Sequence, residues 1–525
     1  MTVTALTPAP ALPRPRTARP AAPPAGPLAR WWPVLPVAAP VLLLVVPFEY
    51  GNGASTSTNI SAADAASAFL VLYCAVRILR GRTRPLSPAA AAVLGVPVLG
   101  LAAATVTAAD PVAALPGFVR YLQVFVLVPA AVVLLLRDAR DFRCVAGAFV
   151  VLALFQGGFG VVQYATGSGA SYMGSDIRAV GTFGPTDVMG MATIVAFGVV
   201  VATGHALRPP PGAPRWVRPA ALAAAVALVP PLAFSFSRGA WIATVAAVLA
   251  VVLLAGWRTA VRALAAVVAA AVVLVGGFGV GSQLITERLG SITQVTAAPD
   301  QSVTDRYTMW AAAVGMWRDE PATGVGLKGF PAYRDGHASL GLSSGSDTAG
   351  AGHAYQRQPL LSPHNMYLLV LGEQGLVGTT ALAGSWAALL VGGARRLYAV
   401  RRRRAAAVDC GLVAVGLMLW QTVDFLYADI GGPSTALTGI VFGLIAWWAL
   451  AGPEPGPEAR GEEARGAELP GAVGAAASVG PGADPSPTAE LTENVRPLDE
   501  SPDSAAPTAV SPGTVRPASA SPGAV

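Results

Sequence analysis

Charge is scarce in this sequence. Of its 525 residues, 12% are charged and 54% are hydrophobic, whereas soluble domains carry about 25% charged residues. Lysine occurs once, at Lys328, so nearly all of the 35 basic residues are arginines. This composition excludes an ordinary cytosolic enzyme, a nucleic-acid binder and a fully disordered chain, and it predicts a polytopic membrane protein.

Cysteine and metal-binding motifs are also scarce. The three cysteines, Cys74, Cys144 and Cys410, are far apart in sequence and fit neither a metal site nor a disulfide framework. The chain has no H-E-x-x-H, Walker or D-x-D motif. A G-x-G-x-x-G match at Gly324 and a G-x-S-x-G match at Gly341 lack the strand–turn–helix context that gives such motifs a function. We therefore expect no metal ion, no bound nucleotide and no cofactor.

Apolar stretches recur along the chain at regular intervals. Each is near the roughly 20 residues that a helix needs to cross a bilayer. They predict twelve spans, at 32–48, 62–79, 89–107, 118–136, 144–164, 187–204, 218–235, 239–256, 260–282, 364–393, 408–427 and 434–451. The flanking segments are too poor in apolar residues to fold. The predicted organisation is a disordered basic cytoplasmic arm (1–31), a membrane domain (32–451) and a disordered cytoplasmic tail (452–525).

The distribution of arginine predicts the orientation of these spans. Basic residues collect on cytoplasmic loops, and with the N-terminus inside, 22 of the 35 fall on short cytoplasmic segments and four in the tail. The nine that remain outside are Arg120, Arg178, Arg238, Arg288, Arg306, Arg318, Lys328, Arg334 and Arg357. We therefore predict a multi-pass protein of the cytoplasmic (inner) membrane with both termini in the cytoplasm.

One long extracytoplasmic loop, at 283–363, interrupts the membrane domain. A connection of this length favours a functional role. Within it, 304–319 has apolar and aromatic residues at helical spacing, and Ser302 or Thr304 can cap a helix there. Residues 336–352 are rich in glycine and serine and are expected to be flexible.

Three of the outer arginines are candidates for binding an anion. An arginine at mid-membrane costs about 2.5–3.5 kcal/mol, so Arg238, in SFSRGAW, faces a cavity or a partner, or its side chain extends to the interface. Arg306 follows the predicted helix start, whose free N–H groups suit a phosphate; a salt bridge to Asp305 or to another acid of the loop is the alternative. Arg178, in RAVGTFGPTDVMG, is either a third ligand or an ordinary loop arginine.

Two residues near the outer surface are candidates for proton transfer. His364 opens the tenth predicted span, where it suits a general base acting on a sugar hydroxyl or, alternatively, a helix-capping role. Asp424, in QTVDFLYAD, orients His364, pairs with an arginine, serves as the base itself or forms a structural ion pair. Gly372, Gly375 and Gly378 are predicted to line one helix face and permit close packing.

At these residues the sequence resembles the O-antigen ligase and polymerase superfamily. His364-Asn365, nine residues and then Gly375-Leu-Val-Gly378-Thr379 fit the family pattern H-[N/S/Q]-x9-G-x-x-G-[T/V]. Further similar motifs follow the family's order: RAVGTFGPTDVMG (178–190), SRGAW (237–241), Asp305-Arg306, and EPATGVGLKGF (320–330). The sequence departs from the family at Thr186-Asp187, where Pro-Asn is common. The resemblance covers roughly 178–450.

The resemblance implies a fold and a reaction. The implied fold is an all-α polytopic membrane protein of the C-type glycosyltransferase kind, with about twelve transmembrane helices and one long extracytoplasmic loop containing short helices. The implied partners are an undecaprenyl-pyrophosphate-linked glycan donor and a glycan or lipid-linked acceptor within the membrane lipid. Arg238, Arg306 and Arg178 would bind the pyrophosphate in place of a metal ion. His364, with Asp424, would deprotonate the acceptor hydroxyl, and the sugar carbon would be inverted.

Three classes of function are compatible with these expectations. The resemblance favours a polymerase or ligase of a cell-surface polysaccharide. The alternative is a twelve-span secondary transporter or a lipid or glycan exporter, which would predict duplicated halves. No repeat relates 32–256 to 260–451, and the long loop interrupts any such symmetry. A structural scaffold is a third class, which the arginine and histidine set disfavours.

Overall fold

The computed structural model describes residues 32–47, 61–81, 86–172, 175–184, 187, 189–272, 301–350, 353–403, 407–432 and 434–451. The predicted arm at 1–31 and the predicted tail at 452–525 lie outside the described residues. So do 273–282 of the ninth predicted span and the first part of the long loop.

Helices make up most of the described chain. In order they are α1 (Leu35–Leu42), α2 (Ala62–Leu79), α3 (Pro88–Val106), α4 (Pro111–Leu135), α5 (Ala139–Thr166), α6 (Gly190–Leu207), α7 (Val217–Phe234), α8 (Arg238–Ala255), α9 (Trp257–Val272), α10 (Gln301–Asp319), α11 (Phe330–His337), α12 (Met366–Arg402), α13 (Val408–Asp424) and α14 (Thr435–Ala446). Helix α4 contains a π-helical turn at Gln123–Leu127, α7 is interrupted briefly at Leu228, and α14 continues as a π-helical turn to Ala451.

Eight of these helices, α2 to α8 and α12, are long and apolar enough to cross a membrane. They coincide with eight predicted spans, which confirms an integral membrane protein of helical class. The predicted segments 32–48, 408–427 and 434–451 coincide with the shorter helices α1, α13 and α14, and 260–282 begins as α9. The total of twelve spans therefore stays a prediction.

Polar caps fix where several of the apolar helices begin. Ser61, Asp110, Asp138 and Asn365 each precede a helix and accept a hydrogen bond from a backbone N–H of its first turn. These N–H groups have no partner within the helix, and a side chain that pairs with them stabilises the helix start. Each of these four helices therefore begins directly after a polar residue that caps it.

Helices α6, α13 and α14 form the centre of the fold. Their side chains are buried on nearly all sides, including Trp420 of α13 and Phe442 of α14. Helices α2, α7 and α8 surround them and leave large apolar side chains exposed on their outer faces, as at Phe69 and Val245. In a membrane protein such faces contact lipid, so the exposed apolar surface is expected here.

A buried ion pair joins α5 to α13 at the end of α13 that lies away from the long loop. The guanidinium of Arg143 donates two hydrogen bonds to the carboxylate of Asp409, at 2.6 and 2.9 Å. The side chain of Asp409 is 2% exposed, and His205 of α6 lies 4.0 Å away. Three helices therefore meet at one carboxylate.

The structure adds a small sheet to the predicted helical class. Its strands are β1 (Ala170–Tyr172), β2 (Ser175–Arg178), β3 (Ser346–Gly350) and β4 (His353–Gln358), in the order β2-β1-β3-β4. All three pairings are antiparallel. Two strands come from the loop between α5 and α6 and two from the long loop, so the sheet joins these segments. The expectation of a flexible segment at 336–352 is wrong for 346–350, which pairs on both sides.

Candidate functional site

The outer turn, defined as residues 425–432 between α13 and α14, is where the candidate residues meet. The backbone N–H of Met366, the first residue of α12, donates to the carbonyls of Phe425 and Ala428 at 2.9 and 3.0 Å. The Asn365 amide donates to the carbonyl of Leu426 at 3.0 Å. The start of α12 is therefore attached directly to the outer turn.

His364 lies two residues before α12 in an unusual backbone conformation. Its φ is +48°, a region that residues other than glycine seldom adopt and that is over-represented at functional sites. Burial lowers the pKa of His364 below its ordinary value near 6.5, while the negative charge of Asp429 raises this pKa and the positive charge of Arg306 lowers it. The imidazole is therefore held largely neutral at neutral pH, between a carboxylate and a guanidinium.

Arg306 approaches the outer turn from α10. Its guanidinium donates to the carbonyl of Tyr427 at 3.4 Å. The predicted alternative of a salt bridge to Asp305 does not occur, because the Asp305 carboxylate accepts hydrogen bonds from Gln301 and Ser343 instead. Within the part of the chain that the structure describes, Arg306 forms no ion pair with a carboxylate, and its charge acts on His364.

The start of α10 differs from the sequence prediction. Its described part, Gln301–Asp319, already includes the residues before Thr304, so Ser302 and Thr304 lie inside the helix. Arg306 is at least the sixth residue of the helix, so it lies beyond the free N–H groups of the first turn. The helix start that the sequence predicts next to Arg306 is therefore wrong. Arg306 contacts the outer turn through its guanidinium, from within the helix.

Arg238 is the first residue of α8, and Ser237 caps this helix. Its side chain is exposed, and among the described residues it forms no ion pair. The next residue, Gly239, packs against the outer turn: a Cβ added to it would lie 3.0 Å from Cβ of Tyr427. The backbone of Arg238 thus lies beside the residue whose carbonyl binds Arg306.

Arg178 ends strand β2 and is half-buried. The following residue, Ala179, donates its N–H to the carbonyl of Phe234 at 3.0 Å, just before the segment that carries Arg238. The side-chain oxygen of Gln163 in α5 accepts from the next two backbone N–H groups of this loop. The loop that carries Arg178 is therefore fixed against the loop that precedes α8.

Asp187 brings the same loop to the outer turn. Its Oδ2 is buried without a hydrogen-bond partner among the described residues, and it would lie 2.6 Å from a Cβ on Gly432. Burial raises the pKa of Asp187 to about 6. This is the position at which the sequence departs from the family's Pro-Asn pattern.

Asp424 and Asp429 are two acids at and beyond the end of α13. Asp424 is 5% exposed, and one oxygen of each carboxylate is buried with no hydrogen-bond partner in the described chain. The charge that acts on His364 comes from Asp429, whereas Asp424 interacts with Asp429. Sequence reasoning missed Asp429, although it is the second acid of the quoted stretch QTVDFLYAD and lies nearer the predicted membrane surface.

A break in α12 follows the histidine. Gly375 has φ +59° and ψ −160°, which interrupts the helix. The carbonyls of Gly372 and Glu373 accept hydrogen bonds from the N–H groups of Val325 and Gly326, and Leu376 and Val377 donate to the carbonyls of Pro321 and Ala322. The loop after α10 therefore satisfies four backbone groups that the break leaves open.

This break changes the interpretation of two glycine motifs. Gly372, Gly375 and Gly378 do not line one continuous helix face, because the helix is interrupted at Gly375. Gly378 does permit close packing, since a Cβ on Gly100 of α3 would lie 2.8 Å from its Cα. Gly324 has φ +65° and a Cβ there would overlap the backbone of α12 at 2.5 Å. The G-x-G-x-x-G match thus belongs to a loop that docks on a helix.

No group of three or more His, Cys, Asp or Glu side chains is arranged to hold a metal ion among the residues that the structure describes. Arg306 and, at the adjoining helix start, Arg238 bring positive charge near the outer turn. A ligand that binds there meets guanidinium groups, which suit phosphate and carboxylate groups.

Comparison with known protein families gives one match that covers part of this site. The family model described as O-antigen ligase matches residues 220–383, a range that contains Arg238, Arg306, His364 and the break in α12. No curated protein matches the chain. The match confirms the resemblance drawn from the motifs, and with it a membrane function in glycan handling of the ligase or polymerase type. Residues 220–383 of the chain are thus similar to the O-antigen ligase family.

Proposed function

We propose that the protein transfers a glycan from an undecaprenyl-pyrophosphate carrier to an acceptor hydroxyl at the outer face of the cytoplasmic membrane. The observation that carries the proposal is that the outer turn contacts both Arg306 and the start of α12 next to His364, whose pKa is shifted by the charges of Arg306 and Asp429. A base, an anion-binding group and an orienting carboxylate are what such a transfer requires.

Arg306 and Arg238 bind the pyrophosphate in this proposal. The guanidinium of Arg306 is not neutralised by Asp305, and that of Arg238 is exposed and has no carboxylate partner in the described residues. Guanidinium groups bind phosphate oxygens through paired hydrogen bonds and carry a permanent charge. They stabilise the negative charge that develops on the leaving pyrophosphate, so the reaction proceeds without a metal ion. Arg178 is a third candidate, because the next residue, Ala179, donates its N–H to the end of α7 just before the segment that carries Arg238.

His364 acts as the general base. The neutral imidazole takes the proton of the acceptor hydroxyl, and the hydroxyl oxygen attacks the anomeric carbon from the side opposite the pyrophosphate. The bond between this carbon and the phosphate oxygen breaks, and the sugar carbon is inverted. Asp429 stabilises the imidazolium that forms, and Asp424 acts on the base through Asp429.

Variants expressed in cells test the proposal. Arg306→Gln, Arg238→Gln and His364→Ala are introduced at matched expression level into a strain that lacks the gene. Loss of one group that stabilises the transition state costs about 10²–10³ in rate, so transferred glycan should fall sharply and lipid-linked glycan should accumulate. Arg318→Gln, an exposed position at the far end of α10, is the matched control and should transfer normally.

Full transfer by all three variants would contradict the assignment. The product also identifies the acceptor. A shortened polysaccharide in the deletion strain indicates a polymerase, whereas an intact chain length with glycan missing from a lipid indicates a ligase. An intact chain-length distribution with no accumulation of lipid-linked glycan would favour transport.

A further inference from the structure

One exposed aromatic side chain lies beside the site on α10. Tyr307 follows Arg306, and 61% of its surface is exposed. Its ring meets the ring of Trp310 edge to face, with centroids 5.5 Å apart. The opposite side of the helix, including Met309 and Met316, is buried in a small apolar core. Tyr307 is therefore fixed on one side and open to solvent on the other.

The face of α10 that carries Tyr307 lies against the site, because Arg306 and Trp310 on this face both contact it. The indole N–H of Trp310 donates to the carbonyl of Pro363, the residue before His364, at 2.9 Å. Arg306 and Trp310 are four residues apart and so share one side of the helix, as do Tyr307 and Trp310. The exposed tyrosine therefore lies next to both the arginine and the segment that holds the histidine.

Tyr307 differs from the other exposed aromatic side chains of the described residues. Most of those lie on or next to the membrane helices, as Phe69 and Trp257 do, where contact with lipid accounts for them. Within the described part of the long loop the other example is Tyr333, on α11, which is 38% exposed. Within the described part of the long loop, Tyr307 is thus the exposed aromatic side chain that adjoins the site.

We propose that Tyr307 stacks against the sugar ring that is bonded directly to the carrier pyrophosphate. The inference rests on the proposed function. The first carbon of that sugar is one oxygen atom away from the phosphate that Arg306 binds, and it is the carbon that the acceptor attacks beside His364. The sugar ring must therefore lie within a few ångström of both residues, where Tyr307 offers an exposed ring.

The chemistry of a pyranose ring suits this position. One face of the ring presents C–H groups, and an aromatic face carries partial negative charge that attracts them. Trp310 holds the tyrosine in place, so little side-chain freedom is lost when the sugar binds. The contact is made by the ring and not by the hydroxyl group, so phenylalanine should replace tyrosine without loss.

A second role for an exposed tyrosine is anchoring at the membrane–water interface. The two roles differ in what they recognise. An anchor affects the binding of the lipid carrier whether or not a sugar is attached, whereas a stacking residue affects only the carrier that bears a sugar. Comparing ligands with and without the sugar therefore separates them.

The test uses the full-length protein in lipid nanodiscs. The donor is the lipid-linked glycan extracted from the deletion strain, and sugar-free undecaprenyl pyrophosphate is a competing ligand. For Tyr307→Ala we expect the KM for the donor to rise about tenfold, the change that the loss of one modest contact produces. The inhibition constant of the sugar-free carrier should stay at the wild-type value. Tyr307→Phe and the control Tyr333→Ala should match the wild type with both ligands.

Two results would overturn the inference. An unchanged KM in Tyr307→Ala would show that the ring makes no contact with the donor. Equal weakening of the sugar-bearing and sugar-free carriers would show an anchoring role. Failure of the proposed function is distinct, because the wild-type protein itself would then neither transfer the donor's glycan nor be inhibited by undecaprenyl pyrophosphate.

Discussion

Replacing Gly375 by alanine should disrupt the break in α12 that follows His364. The glycine has φ +59° and ψ −160°, and a Cβ would lie 2.4 Å from the backbone of Ala322. Because this Cβ would overlap backbone atoms of Ala322 and Thr323, a rotamer change of a neighbouring side chain cannot make room for it. The loop at 321–327 has to move away from the helix.

The expected cost follows from the contacts that this movement breaks. Four backbone hydrogen bonds join the loop to the break, and each contributes about 1 kcal/mol net. The unfavourable backbone conformation adds about 1–3 kcal/mol. The loss in the free energy of unfolding is therefore about 5–7 kcal/mol, within the lower half of the total stability of a typical domain.

Thermal unfolding in detergent, followed by tryptophan fluorescence, measures this loss, and limited proteolysis at 321–327 reports whether the loop is released. Gly384→Ala is the matched control on the same helix, because a Cβ there meets no atom within 4 Å. Gly324→Ala, on the loop side of the same contact, should resemble Gly375→Ala. Equal melting temperatures for Gly375→Ala and Gly384→Ala would refute the reasoning.

Two further predictions concern charge. Since the neutral form of His364 is the base and its pKa lies below 6.5, kcat/KM should be constant at neutral pH and fall at lower pH. Arg306→Gln removes a charge that lowers this pKa and should shift the acid limb to higher pH, whereas Asp429→Asn should shift it to lower pH, as measured between about pH 5 and 8. In the second prediction, Asp409→Asn breaks the buried pair with Arg143 and should destabilise the protein by about 3–5 kcal/mol, measured by thermal unfolding.

Each of these predictions has a control within the chain. Arg318→Gln removes an exposed arginine from α10 and should leave the acid limb in place; shifts of the same sign in the two site variants would contradict the assigned charges. Asp335→Asn breaks an ion pair whose carboxylate is 76% exposed, and such pairs contribute about 0–1 kcal/mol. A loss as small as this for Asp409→Asn would show that the buried pair is not structurally important.

Local patterns in the sequence predict the membrane helices and the position of His364 just before α12. Apolar runs of bilayer length indicate the eight long helices. The motif that begins at His364 also indicates the residue at the start of α12. Hydropathy and caps act within one segment of the chain, so a single sequence contains the information.

Features that depend on distant segments were missed. The sheet pairs β1 with β3, which are more than 170 residues apart, and a glycine- and serine-rich segment gives no alternating pattern to indicate a strand. The break at Gly375 depends on a loop that satisfies its backbone groups from outside the helix. The sequence favours Asp424 over Asp429, because a carboxylate within an apolar run costs more free energy to bury and so suggests a functional role. Which of the two acids acts on His364 depends on the turn after α13, and the sequence does not indicate the path of this turn.

The most direct test of the central claim is a reconstituted reaction. Wild-type protein in nanodiscs, given lipid-linked glycan from the deletion strain and an acceptor extract, should release undecaprenyl pyrophosphate in step with new glycosidic bonds. His364→Ala, at equal amount and with an unchanged melting temperature, should release almost none. Equal release by the two proteins would contradict the account, because the base that the mechanism requires would then be dispensable.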